Sequence, residues 1–420
     1  MESVDAAISP ESSSQPFHSS GYIGILKEFG EKVPEKTAVL QIAFDEFDRQ
    51  AIKNFESYGS RIYPGVAFSF TKVSITPELI RKMSAHVSEM KLSVEQLETP
   101  VDDEFEKEEG HEEKTTVSRQ DFFLFTAFGI PPGSNAFTVE DVALDRFIRL
   151  LPRVARAIKQ GETPPEINIY LLGSPYGFAG RVTPEWIKLL KANGFEEYGR
   201  LYAEFIQQQE QIQPEQQLKN THIVLQGKSK GAIIADKTSH YLSEDLQRVT
   251  QRLLDSPAGH HNPESIMRWF KGAQVAVGLA VETLFSKYFD DLMKSMNRQD
   301  QAFLENLSKT SNIPMDDKEQ MRLKLEAALA DGLLLLRGSP LDTENNRSFI
   351  RQGIYDPLTF SPKRIFDIWQ RHRKNKGGFV SFSEGRSLQA PYRSAHFSIH
   401  KRFERWKTIL DYCQGATKNK

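Results

Sequence analysis

The sequence has little of what secreted, membrane-spanning or cysteine-ligated chains use. Among its 420 residues there is one cysteine, Cys413, so a disulfide within the chain is impossible and a cysteine-based metal site is not expected. Residues 1–20 have neither a basic start nor an apolar stretch, which argues against a secretory signal. No run of about 18 apolar residues occurs, which excludes an ordinary transmembrane helix. We expect a cytoplasmic protein without metal or cofactor, with signal-independent export as the alternative.

The chain has almost no net charge, although charge of each sign is concentrated in particular segments. The formal net charge is −2, which gives no reason to expect a nucleic acid or membrane partner for the whole molecule. Basic residues outnumber acidic ones in 363–420, so this region is a candidate site for an acidic partner. Balancing the acidic segment 101–114 within the molecule is an equally economical explanation of the same residues.

The composition divides the chain into segments of different character. Residues 1–20 are rich in Ser and Pro and predict a disordered tail, because few of them could offset the entropy lost on ordering. Residues 101–114 carry a run of acidic side chains typical of a solvated loop. Helical periodicity with many Met, Phe and Leu predicts a helical cap over 263–331. The remaining ranges are assigned as strands and a helix that extend the sheet in 21–100, and as the core of the main domain in 115–262 and 332–420.

Short apolar runs alternate with helical patterns along most of the chain. Such runs are typical of strands buried on both faces, and their alternation with helices predicts a mostly parallel, doubly wound sheet in an α/β fold. We expect the earliest strands to be antiparallel members of the same sheet. The predicted strands are 37–43, 61–63, 66–73, 121–128, 167–172, 221–226, 248–254, 333–336 and 379–382. The predicted helices are a stretch from residue 77, 139–159, 197–208, a helix ending near residue 242, and 400–412.

The motif with the clearest chemical meaning is Gly227-Lys228-Ser229-Lys230-Gly231. It follows an apolar strand and opens a helix of small residues, which is the context that a nucleophile elbow requires. The turn is tight, so side chains must be absent two residues on either side of the nucleophile, and glycines occupy both positions. A phosphate-binding loop is set aside because its first glycine would fall on His222.

From about residue 122 to the C-terminus, the order of elements resembles the α/β-hydrolase superfamily with a helical cap. The resemblance implies that the Lys230 backbone N–H is one donor to the oxyanion. It also implies a second donor in the loop at 125–135, at Phe128 or Gly129, although this loop has Ala-Phe-Gly in place of the usual His-Gly. Lysines on both sides of Ser229 are a further departure from the superfamily pattern.

The same resemblance implies a base and a carboxylate that follow Ser229 in the order Ser, acid, His. His396 lies after the last predicted strand and before the last helix, where the base is expected, with His400 as the alternative. Asp342 follows the predicted strand 333–336 and is the expected acid, with Asp356 as its competitor.

Two functions are compatible with these residues. The first is a serine hydrolase acting on a small-molecule or lipid-like acyl substrate through an acyl-enzyme on Ser229. The second is a catalytically inactive α/β-hydrolase-like binding or scaffolding protein, which the flanking lysines and the missing His-Gly loop would favour.

Overall fold

A single sheet contains every strand in the part of the chain that the computed structural model describes. Apart from single gaps, that part comprises residues 46–82, 118–125, 161–211, 220–257, 317–341, 348–351 and 380–381, with a few residues between 147 and 158. The strands are β1 (Phe55–Gly59), β2 (Ala67–Ile75), β3 (Arg119–Phe125), β4 (Glu166–Leu172), β5 (Thr221–Lys228), β6 (Thr250–Asp255), β7 (Ser348–Arg351) and β8 (Val380–Ser381).

The order of strands across the sheet is β1-β2-β4-β3-β5-β6-β7-β8. The neighbouring strands from β4 across to β8 pair in parallel, whereas β2 pairs antiparallel with both β1 and β4. Parallel neighbours place their carboxyl ends along one edge, and the register aligns Lys228 with Asp255, Asp255 with Arg351, and Arg351 with Ser381. The chain segments that leave β5, β6, β7 and β8 therefore begin side by side.

Five helices of the described residues have defined bounds. They are α1 (Pro184–Asn193), α2 (Glu196–Gln211), α3 (Lys230–Tyr241), α4 (Glu244–Arg248) and α5 (Lys318–Arg337). Helix α1 has clear start and stop signals. At its start, the Thr183 hydroxyl accepts a hydrogen bond from the Trp186 N–H, and Pro184 occupies the first turn. Gly194, at φ 72°, ends it. None of the described helices combines the length and apolar character that crossing a bilayer requires.

The core lies between the sheet and helices α1, α2, α3 and α5. All seven residues of β3 are buried, which shows that the sheet is covered on both faces. Phe205 of α2 lies at the centre of one layer, with ring centroids of Tyr58 at 5.1 Å, Phe68 at 5.4 Å and Phe70 at 4.7 Å from its own. These geometries are tilted or edge-to-face, the arrangements that aromatic pairs prefer.

The structure confirms the predicted α/β class and its mostly parallel sheet with antiparallel early strands. The predicted strands 66–73, 121–128, 167–172, 221–226, 248–254 and 379–382 overlap β2, β3, β4, β5, β6 and β8. The predicted helices at 197–208 and up to residue 242 correspond to α2 and α3, residues 77–82 are helical, and so are the described residues between 147 and 158. Strand 37–43 and helix 400–412 lie outside the described residues.

Two predicted strands are wrong. Residues 61–63 form the bend that connects β1 to β2. Residues 333–336 lie in the last turns of α5. Leucine is a good helix former, so the four leucines that follow Ala327, Ala328 and Ala330 continue the helix rather than start a strand. The strand that follows is β7 at Ser348–Arg351, which was not predicted. The border drawn at 331 and 332 between cap and core falls inside α5, and most of the proposed cap lies outside the described residues.

We predict that Phe205→Ala lowers the free energy of unfolding by about 3–5 kcal/mol, because it removes a fully buried ring from the centre of its layer. Urea denaturation measures the change. The matched control is Leu329→Ala on α5, whose side chain is 57% exposed, so we expect a change of about 0.5 kcal/mol or less. Equal effects of the two substitutions would contradict this description of the core.

Candidate active site

The candidate site lies at the carboxyl end of β5, a strand in the interior of the sheet. β5 pairs in parallel with β3 on one side and with β6 on the other. The register sets Gly227 opposite Phe125, the last residue of β3. Strand β3 therefore ends beside the turn at Ser229, and the predicted donors Phe128 and Gly129, which follow it in the chain, lie outside the described residues.

The chain reverses direction between β5 and α3 at Ser229. This residue has φ 57° and ψ −120°, a region that non-glycine residues rarely occupy, and it is 6% exposed. A Cβ atom at Gly227 would overlap the carbonyl group of Gly231, so the turn closes only if position 227 has no side chain. The predicted elbow glycine 227 is thus required by the geometry of the turn.

Helix α3 starts at Lys230, directly after the serine. The positive end of the helix dipole is therefore adjacent to Ser229, where it favours an anion. A strained serine between a parallel strand and a helix is the arrangement of the nucleophile elbow in the α/β-hydrolase fold. Together with the sheet, this turn confirms the predicted α/β-hydrolase type of fold.

The side chain of Lys230 is completely buried, so this lysine does not extend into solvent. Its Nζ donates to Asp331 Oδ2 at 2.7 Å and to the Tyr176 hydroxyl at 2.6 Å, and Tyr176 donates in turn to Asp331 Oδ2 at 2.8 Å. Burial lowers the pKa of the Lys230 ammonium, and the Asp331 carboxylate acts in the opposite direction. Burial, followed by the Asp331 charge, raises the pKa of Tyr176 well above its ordinary value, which keeps it a phenol.

Tyr176 reaches this pair from a tight loop that follows β4. The Gly177 N–H donates to the Ser174 carbonyl at 2.8 Å, and a Cβ at Gly180 would overlap the backbone of Pro175. The Tyr202 hydroxyl of α2 holds the start of the loop through the Gly173 carbonyl at 2.7 Å. The loop is therefore a rigid support for the tyrosine rather than a flexible connection.

The predicted site residues Ser229, Lys230 and the glycines 227 and 231 all lie at the turn between β5 and α3. The contacts of Lys230 with Asp331 and Tyr176 were not predicted. A signal for Asp331 was present, because a lone acidic residue within the apolar run ALADGLLLL of a helix needs a buried partner. No spacing along the chain indicates which residues of α3 and α5 face each other, so the partner of Asp331 could not be identified.

The other predicted site residues lie outside the described part of the chain: Asp342, Asp356, His396 and His400. The reason for choosing Asp342 is wrong, since the run before it is helix α5 and not a strand. Within the described ranges, no three His, Cys, Asp or Glu side chains converge as ligands of a metal ion would. The basic region 363–420 is described only at 380–381, so its partner remains a prediction.

A second cluster of buried ionisable groups lies near the amino ends of the parallel strands. Arg119 Nη2 lies 2.6 Å from Asp121 Oδ2 and 3.6 Å from Glu210 Oε1, and all three side chains are at most 6% exposed. Burial and the neighbouring Asp121 carboxylate raise the pKa of Glu210 to about 8, because one arginine cannot balance two buried acids. Glu210 lies near the far edge of the sheet from Ser229, so it is not a candidate base for the elbow.

No family model matches the sequence, and comparison with curated proteins yields no match. Among solved structures, an esterase from Pyrococcus furiosus is similar with a TM-score of 0.33 and 10% identity, over 86% of this chain and 91% of that one. Brefeldin A esterase, a bacterial homologue of human hormone sensitive lipase, has a TM-score of 0.31 and 11% identity, over 96% and 93%. Acylaminoacyl peptidase from Pyrococcus horikoshii has a TM-score of 0.32 and 9% identity. The match covers 86% of this chain and 42% of the peptidase. The fold follows from the sheet and the elbow, not from these likenesses.

We predict that Ser229→Gly is more stable to unfolding than Ser229→Ala by about 1 kcal/mol, because glycine adopts the backbone angles of this turn without strain and alanine does not. Both variants lose the serine hydroxyl, so the difference between them reports the backbone conformation and not the loss of that group. Urea denaturation of the two proteins gives the difference. If the alanine variant were as stable as the glycine variant, the backbone at residue 229 would not be strained.

The pKa of Glu210 predicts a pH dependence of stability. The folded protein holds a proton on this group up to about pH 8, whereas the unfolded chain releases it near its ordinary pKa of 4.5. The free energy of unfolding should therefore fall as the pH rises from about 4.5 to about 8. Urea denaturation at several pH values should show a shallower fall in Glu210→Gln, whereas Glu185→Gln, at an exposed position of α1, should behave as wild type. Identical slopes in all three proteins would contradict the assignment.

Proposed function

We propose that this protein is a serine hydrolase that cleaves an ester, thioester or amide through an acyl-enzyme on Ser229. The observation that carries the proposal is the backbone of Ser229, held at φ 57° between β5 and α3 by a turn that requires glycine at 227. Backbone strain of this kind persists only where the surrounding structure maintains it, and it clusters at active sites.

We assign His396 as the base, with His400 as the alternative, and Asp356 as the carboxylate that orients it. The register of β6, β7 and β8 supports this choice, because the chain leaves β7 at Arg351 and β8 at Ser381 on the same edge as the elbow. Asp356 follows the end of β7, and His396 follows the end of β8. Asp342 instead precedes β7 in the chain, where the strand has its amino end, and this order favours Asp356 over Asp342 as the acid.

The mechanism follows from these roles. His396 accepts the proton of Ser229 Oγ as the oxygen attacks the acyl carbon, and the resulting oxyanion is held by backbone N–H groups of Lys230 and of the loop containing Phe128 and Gly129. The leaving alcohol, thiol or amine takes the proton from His396. Water, deprotonated by the same histidine, then attacks the acyl-enzyme, and the histidine returns this proton to Ser229 Oγ as the acid is released.

An inactive binding protein is the competing function, and lysines beside the serine were its main support. The buried ion pair with Asp331 accounts for one of them, because it removes the Lys230 ammonium from any space that a substrate could occupy. The unusual residue is then a structural element of the elbow rather than a sign of lost catalysis. The side chain of Lys228 lies outside the described part.

We expect a fluorophosphonate probe to label the wild-type protein and to leave Ser229→Ala unlabelled, since the probe reacts with an activated serine. His396→Ala and Asp356→Asn should each reduce the rate of labelling by about 10³-fold or more. Mass spectrometry locates the adduct, and the labelled fraction in samples quenched at successive times gives the rates.

The matched control is Asp342→Asn, which neutralises the competing carboxylate and should label at the wild-type rate. Loss of labelling in Asp342→Asn with full labelling in Asp356→Asn would reverse the assignment of the acid. A wild-type protein that shows a cooperative unfolding transition but does not label would support the binding protein instead.

A further inference from the structure

The ion pair between Lys230 and Asp331 connects the elbow to a distant helix. Both side chains are fully buried, and the Lys230 Nζ also lies 4.7 Å from the centre of the Tyr176 ring and 5.3 Å from that of Tyr198. A buried ammonium that contacts one carboxylate, one hydroxyl and two aromatic rings has few alternative positions, because elsewhere in the core it would lose these contacts. The side chain therefore fixes the residue that carries it.

The residue it fixes is the one whose backbone N–H we assign as an oxyanion donor. Such a donor stabilises the transition state only when it is held, before the reaction, at the position the developing charge will occupy. Small displacements are costly for this reason. The turn at Ser229 defines where the peptide begins, and the Lys230 side chain defines how it is oriented.

Helix α5 is itself held in place relative to the loop after β4. The Gln320 amide bonds both the N–H and the carbonyl of Val182 at 3.0 Å, and Lys324 Nζ donates to the Gly177 carbonyl at 3.0 Å. Asp331 adds the bond from Tyr176. With contacts along its length, α5 presents the Asp331 carboxylate at a defined point beneath the elbow.

We propose that Asp331 is a positioning residue of the active site: by its buried ion pair with Lys230 it orients the peptide that carries the oxyanion donor, so that α5 controls the reactivity of Ser229. The inference rests on the proposed function. Asp331 touches neither substrate nor nucleophile in this role, and its effect passes through Lys230.

The test compares Asp331→Asn with Asp236→Asn. Asp236 lies on the same helix as Lys230, is fully buried and forms an ion pair of the same kind with Arg252 at 2.6 Å, but it faces β6 instead of α5. In fluorophosphonate labelling at saturating probe, we expect the maximal rate of Asp331→Asn to fall at least about 10-fold with the half-saturating concentration unchanged. Asp236→Asn should lower the thermal midpoint but keep the wild-type rate.

A second variant separates orientation from stability, in case Asp331→Asn alone does not fold. In Lys230→Met/Asp331→Leu both charges are replaced by apolar side chains of similar size, which commonly restores or raises stability, and the backbone N–H of residue 230 is retained. We expect its thermal midpoint to return to the wild-type range while its labelling rate stays low.

Recovery of the rate together with the midpoint would overturn the proposal, since the pair would then act only on stability. A wild-type rate in folded Asp331→Asn would overturn it as well, with the proposed function intact. A wild-type protein that does not label at all would remove the proposed function and this inference with it.

Discussion

The turn between β5 and α3 imposes the constraint on which the rest of the site depends. Gly227 must lack a side chain because the carbonyl of Gly231 occupies the space, and Ser229 must accept a backbone conformation that suits glycine better. Neither condition would hold in an isolated strand and helix, since the conformation is unfavourable by itself. It is maintained because β5 is paired on both sides and because residues 230–239 of α3 are all buried against the core.

Buried charges determine how α3 is held. Three ion pairs attach it to three different neighbours: Lys230 to Asp331 of α5, Asp236 to Arg252 of β6, and Lys237 to Glu196 of α2. The Lys230–Asp331 and Asp236–Arg252 pairs are buried, so each has a favoured geometry and is costly to break, whereas Glu196 of the third pair is 34% exposed. Of the three pairs, only Lys230–Asp331 involves the residue directly after Ser229, while Asp236–Arg252 and Lys237–Glu196 attach later turns of α3 to its neighbours.

Much of this could be predicted from the sequence, and the failures have identifiable causes. Buried strands such as 121–125 and 167–172 are continuous apolar runs between turn residues, and the turn at Ser229 is a short motif bracketed by glycines, so these strands and the strand–turn–helix could be predicted. The run 333–336 was assigned to a strand because a short apolar segment has no period of its own, and only its continuity with Ala327–Ala330 and the rest of α5 makes it a helix. The strand assignment was the reason for choosing Asp342, so that reason does not hold, while the role of Asp342 itself stays a prediction. Asp331 and Tyr176 were missed because pairing between distant helices and loops leaves no spacing to read.

The ion pair between Lys230 and Asp331 also joins parts of the chain that are synthesised at different times. Lys230 and Asp331 are 101 positions apart in the chain, and Tyr176 and Asp331 are 155 apart. During synthesis the strand, the serine and the lysine leave the ribosome well before the carboxylate that the lysine requires. Contacts between residues so far apart in the chain form more slowly than local contacts, because the intervening chain loses conformational entropy when they form. Until α5 has been synthesised, Lys230 lacks the carboxylate that it contacts in the folded protein, so a chain that ends before Asp331 cannot complete the contacts around the turn at Ser229.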